Sequence, residues 1–168
     1  MWHGTNEDSA EVMKHFYASE EYFNCKPIEP AASILRTLAN KFRFVVITSR
    51  SEAQRDATLD FLRTHFAATQ QDDDANNTML FEQVVFTNTF AAAYEHKKCT
   101  KAFMMKQLNA QVLIDDSINN IVQCAKEDVK GILFGHYPWN TNRTIDSQLH
   151  NEAQKKHVKH VQHWHQVE

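Results

Sequence analysis

The chain has 168 residues, 42% of them hydrophobic and 23% charged, which suits one globular domain with a sizeable core. A formal charge of −3 gives no electrostatic case for nucleic acid or an anionic membrane surface as the main partner. No apolar run approaches the roughly 18 residues of a membrane span, and the opening MWHGTNEDS is not a signal peptide. Cys25, Cys99 and Cys124 are odd in number and far apart, which fits free thiols in a reducing compartment and a cytoplasmic location.

In chain order, Thr5 and Asp8 resemble a capping signal ahead of a helical stripe, Ala10, Met13, Phe16 and Tyr17. Residues 19–30 read as irregular. The apolar spacing of Ile34, Leu35 and Leu38 predicts a helix from about Ala31 to Asn40. Phe42–Thr48, FRFVVIT, is a strand that ends in the polar and cationic cluster Thr48-Ser49-Arg50. Ser51 and Gln54 form a second capping signal, before a helix with Ala57, Phe61, Leu62 and Phe66 on one face. Residues 67–79 read as an exposed polar loop and Val84–Thr87 as a short strand, while 88–98 carry no clear pattern.

A helix is predicted from about Lys101, with Ala102, Met105 and Leu108 inward and Asn109 ending it in the left-handed conformation usually given to glycine. The strand Gln111–Ser117, QVLIDDS, follows. Ser117 can cap the next helix, whose Ile118, Ile121, Val122 and Ala125 stand at i, i+3, i+4 and i+7. Gly131–Phe134 reads as the last strand and Gly135–Asn142 as an aromatic, polar loop. A final helix is expected from about Ile145 to Trp164. The order β-α-β-α-β-α-β implies a parallel sheet with helices on both faces.

Three features at strand ends and helix starts can carry chemistry. Thr48 and Ser49 offer hydroxyls and backbone N–H groups that can bind a phosphoryl oxygen, though hydroxyls after strands are also common caps. Lys101 sits at a helix start, where a cation opposes the helix dipole unless an anion compensates; Lys97, Lys98 and Lys106 compete for the same role. Asp115 and Asp116 are adjacent carboxylates at a strand end, costly unless a cation neutralises them. Arg50 reads equally as a substrate contact and as an exposed residue after a strand. Tyr137 and Trp139 read equally as a substrate mouth and as a cover for the sheet edge. His157, His160, His163 and His165 in the tail read as solvated.

Together VVITSR, KAFMMKQLNAQVLIDDS and GILFGHYPWN resemble the later part of a haloacid dehalogenase superfamily hydrolase, on the nucleotidase-like branch. The Lys-to-Asp-Asp spacing and the FG-YPWN that follows carry most of that resemblance, which spans roughly Trp2 to Asn140. It implies a single α/β domain with a Rossmann-like parallel sheet flanked by helices. Residues 1–28 would be the remainder of a helical insertion or cap, and 29–168 the core. It also implies a hydroxyl from Thr48, a lysine from Lys101, substrate contacts from Ser49 and Arg50, and Mg²⁺ held by Asp115 and Asp116. The implied activity is hydrolysis of a small phosphomonoester through an aspartyl-phosphate.

That family's first motif is a strand ending in Asp-x-Asp, whose first Asp is the nucleophile. No such strand precedes Thr48, and the only Asp-x-Asp, within Asp72-Asp73-Asp74, lies in the polar loop. The resemblance implies that the missing strand belongs at the sheet centre, between FRFVVIT and QVLID. The expectation is therefore an inactive or impaired phosphohydrolase with weakened Mg²⁺ binding, and strand edges open to self-association. The alternative is a non-catalytic protein that binds a phosphate or a partner through the same surface.

Overall fold

A computed structural model describes residue 12 and residues 15–68, 79–87, 99–140, 148–149 and 151–167. The expected first helix, the Asp72–Asp74 loop and Lys97 and Lys98 lie largely or wholly outside those residues. The chain forms two compact units, Met1–His96 and Lys97–Glu168, each taken by itself below.

In the first unit Ser19 caps a short helix, α1 (Glu20–Phe23), by accepting from the Tyr22 N–H at 3.4 Å. The sequence suggested no helix there; four residues are too few to show a helical period. Helix α2 (Ala31–Leu38) buries Ala31, Ile34 and Leu35. Strand β1 (Phe44–Thr48) follows, then a single 3₁₀ turn, Glu52–Gln54, opened by the expected Ser51–Gln54 capping box. Helix α3 (Arg55–His65) buries Thr58 and Leu62. Strand β2 (Phe81–Phe86) pairs parallel with β1, Val46 opposite Val84 and Thr48 opposite Phe86. It starts three residues earlier than its apolar pattern suggests, because Glu82 and Gln83 are exposed.

In the second unit Thr100 caps α4 (Lys101–Gln107), accepting from the Phe103 N–H at 3.1 Å. Ala102 and Met105 are buried, and Asn109 takes the left-handed conformation expected of it, with φ 49°. Strand β3 (Val112–Asp115) leads into α5 (Ile118–Lys126), whose predicted stripe of Ile118, Ile121, Val122 and Ala125 is buried. Helix α5 packs on β3 and on β4 (Lys130–Phe134). Gly131 lets it come close, for a Cβ there would stand 2.8 Å from Ile121 Cγ2. Strands β3 and β4 are parallel, Asp115 opposite Leu133.

The predicted final helix is corrected. Among the described residues of that stretch, a short helix α6 (Glu152–Lys155) is followed by strand β5 (Val158–Val161) and a 3₁₀ turn, Trp164–Gln166. Strand β5 pairs parallel with the open edge of β4, Gly131 opposite Val158 and Phe134 opposite Val161. Backbone groups along that edge need partners, and this outweighs the helical contacts expected of Leu149, Ala153, Val161 and Trp164. Among the described residues the first unit carries the parallel pair β1-β2 and the second unit the parallel sheet β3-β4-β5. Among the described residues β1 pairs only with β2, and β3 only with β4.

Candidate functional site

Strand β3 ends at Asp115, buried to 4% side-chain exposure, and α4 begins at Lys101, whose side chain is 13% exposed. The two meet: Lys101 Nζ donates to Asp115 Oδ2 at 2.5 Å. The cation that opposes the dipole of its own helix is thus compensated by the carboxylate at the next strand end. The other oxygen, Asp115 Oδ1, accepts from the Ser117 N–H at 2.8 Å and from Asn120 Nδ2 at 3.0 Å. Ser117 is the N-cap residue of α5, but its hydroxyl makes no capping bond. Asp115 fixes the turn before the helix by accepting the Ser117 N–H, and the expected side-chain cap from Ser117 is not made.

Asp116 points elsewhere. Its Oδ2 accepts from the Trp139 indole N–H at 3.1 Å. Asn140, fully buried, holds the segment: its Nδ2 donates to Phe134 O at 2.8 Å and to Asp116 O at 3.3 Å. Its Oδ1 accepts from the Tyr137 N–H at 2.7 Å. Tyr137 and Trp139 stack with centroids 4.8 Å apart and planes 9° from parallel. The loop therefore leans on Asp116 through side chains that the sequence left undecided or did not single out. Asn120 and Asn140 were missed altogether; a neutral amide in a turn looks the same whether it is a solvated residue or a buried clamp.

Thr48, Ser49 and Arg50 lie in the first unit. Thr48 Oγ1 accepts from the Arg50 N–H at 3.2 Å, a turn closed by the hydroxyl. Arg50 Nη1 donates to Tyr22 Oη at 3.0 Å and to Thr58 Oγ1 at 2.9 Å, with the guanidinium 5.2 Å from the Tyr22 ring centroid. Ser49 is half-buried. Among the competing lysines, Lys106 pairs with Glu127 at the surface. A cleft of about 460 Å³ in the second unit is lined by Thr100, Ala102, Phe103, Lys106, Gln123, Lys126 and Glu127, none of them singled out for phosphate or metal except the competing Lys106.

Cys124 lies beneath the ion pair, fully buried. Burial pushes its thiol up to about 11; the Asp115 charge adds to this and Lys101 opposes it. A folded-state value above the ordinary thiol range means stability that is full below that range and is lost as pH rises toward about 11. The urea midpoint of the protein is therefore expected to fall between about pH 9 and pH 11, and to fall less in Cys124→Ala. At pH 8 in the native state iodoacetamide is expected to modify exposed Cys25 and spare Cys124. Native-state modification of Cys124 as fast as that of Cys25 would contradict this.

Mg²⁺ takes carboxylate and water oxygens, and one or two carboxylates suffice because the ion keeps several waters. Among the described residues no three His, Cys, Asp or Glu side chains converge. Asp115 accepts three hydrogen bonds, one on Oδ2 from Lys101 and two on Oδ1 from the Ser117 N–H and Asn120. Asp116 is exposed, and among the described residues its Oδ1 takes no hydrogen bond.

Fold and centre together define a mixed α/β protein with parallel sheets flanked by helices, compatible with the Rossmann-like class, carrying a buried lysine–aspartate pair at a strand end. Comparison with family models, with curated proteins and with solved structures gave no match. Among the described residues no helix is long and apolar enough to cross a membrane.

Proposed function

We propose that the chain carries the lysine and carboxylate part of a haloacid dehalogenase-type phosphohydrolase site for small phosphomonoesters, and that it does not turn substrate over as it stands. The observation that supports this reading is the 2.5 Å pair between Lys101 and Asp115, two residues fourteen apart that the resemblance assigns to one phosphotransfer site. Lys101 offers two further N–H donors beside its bond to Asp115, and these would bind phosphoryl oxygens. Asp116 would hold hydrated Mg²⁺, which when bound supplies positive charge to those oxygens. Among the described residues no strand ends in Asp-x-Asp, so the reading includes no aspartyl-phosphate step.

The test is a p-nitrophenyl phosphate assay with Mg²⁺, run beside calorimetric titration with inorganic phosphate. The expected result is no turnover above background, with weak phosphate binding in Mg²⁺ that disappears in Lys101→Ala. Robust turnover lost in Asp116→Asn would overturn the inactive reading. Phosphate binding indifferent to Lys101→Ala would overturn the site itself.

A further inference from the structure

We propose that Asn120 is a positioning residue for Lys101, acting through Asp115; this rests on the reading above that Lys101 binds phosphoryl oxygens. Asn120 stands in the first turn of α5, and its side chain reaches back to the strand end, where Nδ2 donates to Asp115 Oδ1 at 3.0 Å. The Ser117 N–H donates to the same oxygen at 2.8 Å, which leaves Oδ2 to Lys101. The carboxylate is thus bonded at both oxygens and turns only by breaking one of these bonds. Lys101 carries its charge on a flexible four-carbon stem, so the ammonium keeps one place only if its anchor does. Without Asn120 the carboxylate would lose its side-chain donor on Oδ1 and could swing about the Ser117 contact.

The helix makes Asn120 a rigid support. Ile118 and Ile121 on either side of it are buried, and they fix how α5 is turned about its axis. That turn brings Asn120 to the ion pair and leaves Asn119, the same residue type one position earlier, exposed. In a capping box the third helical side chain reaches back to the backbone of the N-cap residue. Here it reaches past Ser117 to a carboxylate whose partner is a buried cation, and hydrogen bonds to charged groups are the stronger ones. Lys101 has three N–H donors, and Asp115 fixes the direction of one. The directions of the other two are thereby narrowed, so less freedom is lost when a phosphoryl group binds.

The first readout is the Lys101 ammonium in ¹H–¹⁵N magnetic resonance, assigned with Lys101→Arg. An ammonium held in an ion pair exchanges its protons slowly enough to give a resolved signal. Wild-type protein and Asn119→Ala are expected to show that signal, and Asn120→Ala to lose it while remaining folded. Asn120→Ser, whose side chain is one bond shorter, is expected to behave like the alanine and serves as the milder variant. The second readout is calorimetric titration with inorganic phosphate. Asn120→Ala is expected to weaken binding about 10-fold, the size of one hydrogen bond to a charged group, and Asn119→Ala to leave it unchanged. Signal and affinity both unchanged in Asn120→Ala, with binding still lost in Lys101→Ala, would overturn the role of Asn120 and leave the site standing. A lower urea midpoint with unchanged phosphate affinity would overturn it as well, since Asn120 would then serve the fold alone. Phosphate binding absent from the wild type, or indifferent to Lys101→Ala, would overturn the site and this role together.

Discussion

Asp115→Ala is expected to destabilise the protein by about 3–5 kcal/mol, the usual loss when one partner of a buried ion pair is removed. The alanine would strand the ammonium of Lys101, 13% exposed, together with the Ser117 N–H and the Asn120 amide. The pair itself contributes less than this figure, since both charges also gave up water to form it. Asp115→Ala combined with Lys101→Met should therefore recover much of the loss. Urea unfolding of the wild type, both single variants and the double variant closes the cycle. A single-variant loss under about 1 kcal/mol would mean that the pair behaves like an exposed one.

Asn140→Ala is expected to cost about 3 kcal/mol. Phe134 O loses a buried partner and the Tyr137 N–H a part-buried one, and a buried loss costs about 1–3 kcal/mol. Asn140→Asp should be at least as harmful, because it sets a carboxylate oxygen against the carbonyls of Phe134 and Asp116. Urea unfolding reads the energy, and hydrogen exchange at the Tyr137 amide reads the place. Exchange at Tyr137 unchanged by Asn140→Ala would show that the amide draws its protection from elsewhere.

What could be read from the sequence was what its local pattern dictates. The core stripe of α5, the β-rich run of β1 and the left-handed exit at Asn109 each have a physical cause within a few residues. The meeting of Lys101 and Asp115 was legible because one helix and one short turn separate them. Strand β5 was not legible: Val158 and Val161 suit either a helix face or a short strand, and only the open edge of β4 decides. Asn120 and Asn140 act through groups distant in sequence or belonging to the backbone, so their residue type gives no sign of the task.

The short path between Lys101 and Asp115 has a further consequence. Their meeting requires only that α4 form, that Asn109 reverse the chain and that β3 extend. Closing so small a loop gives up little chain entropy, and no distant strand has to arrive first. The two partners, the helix cap at Thr100 and the turn at Ser117 thus all lie within one continuous stretch, residues 100–117.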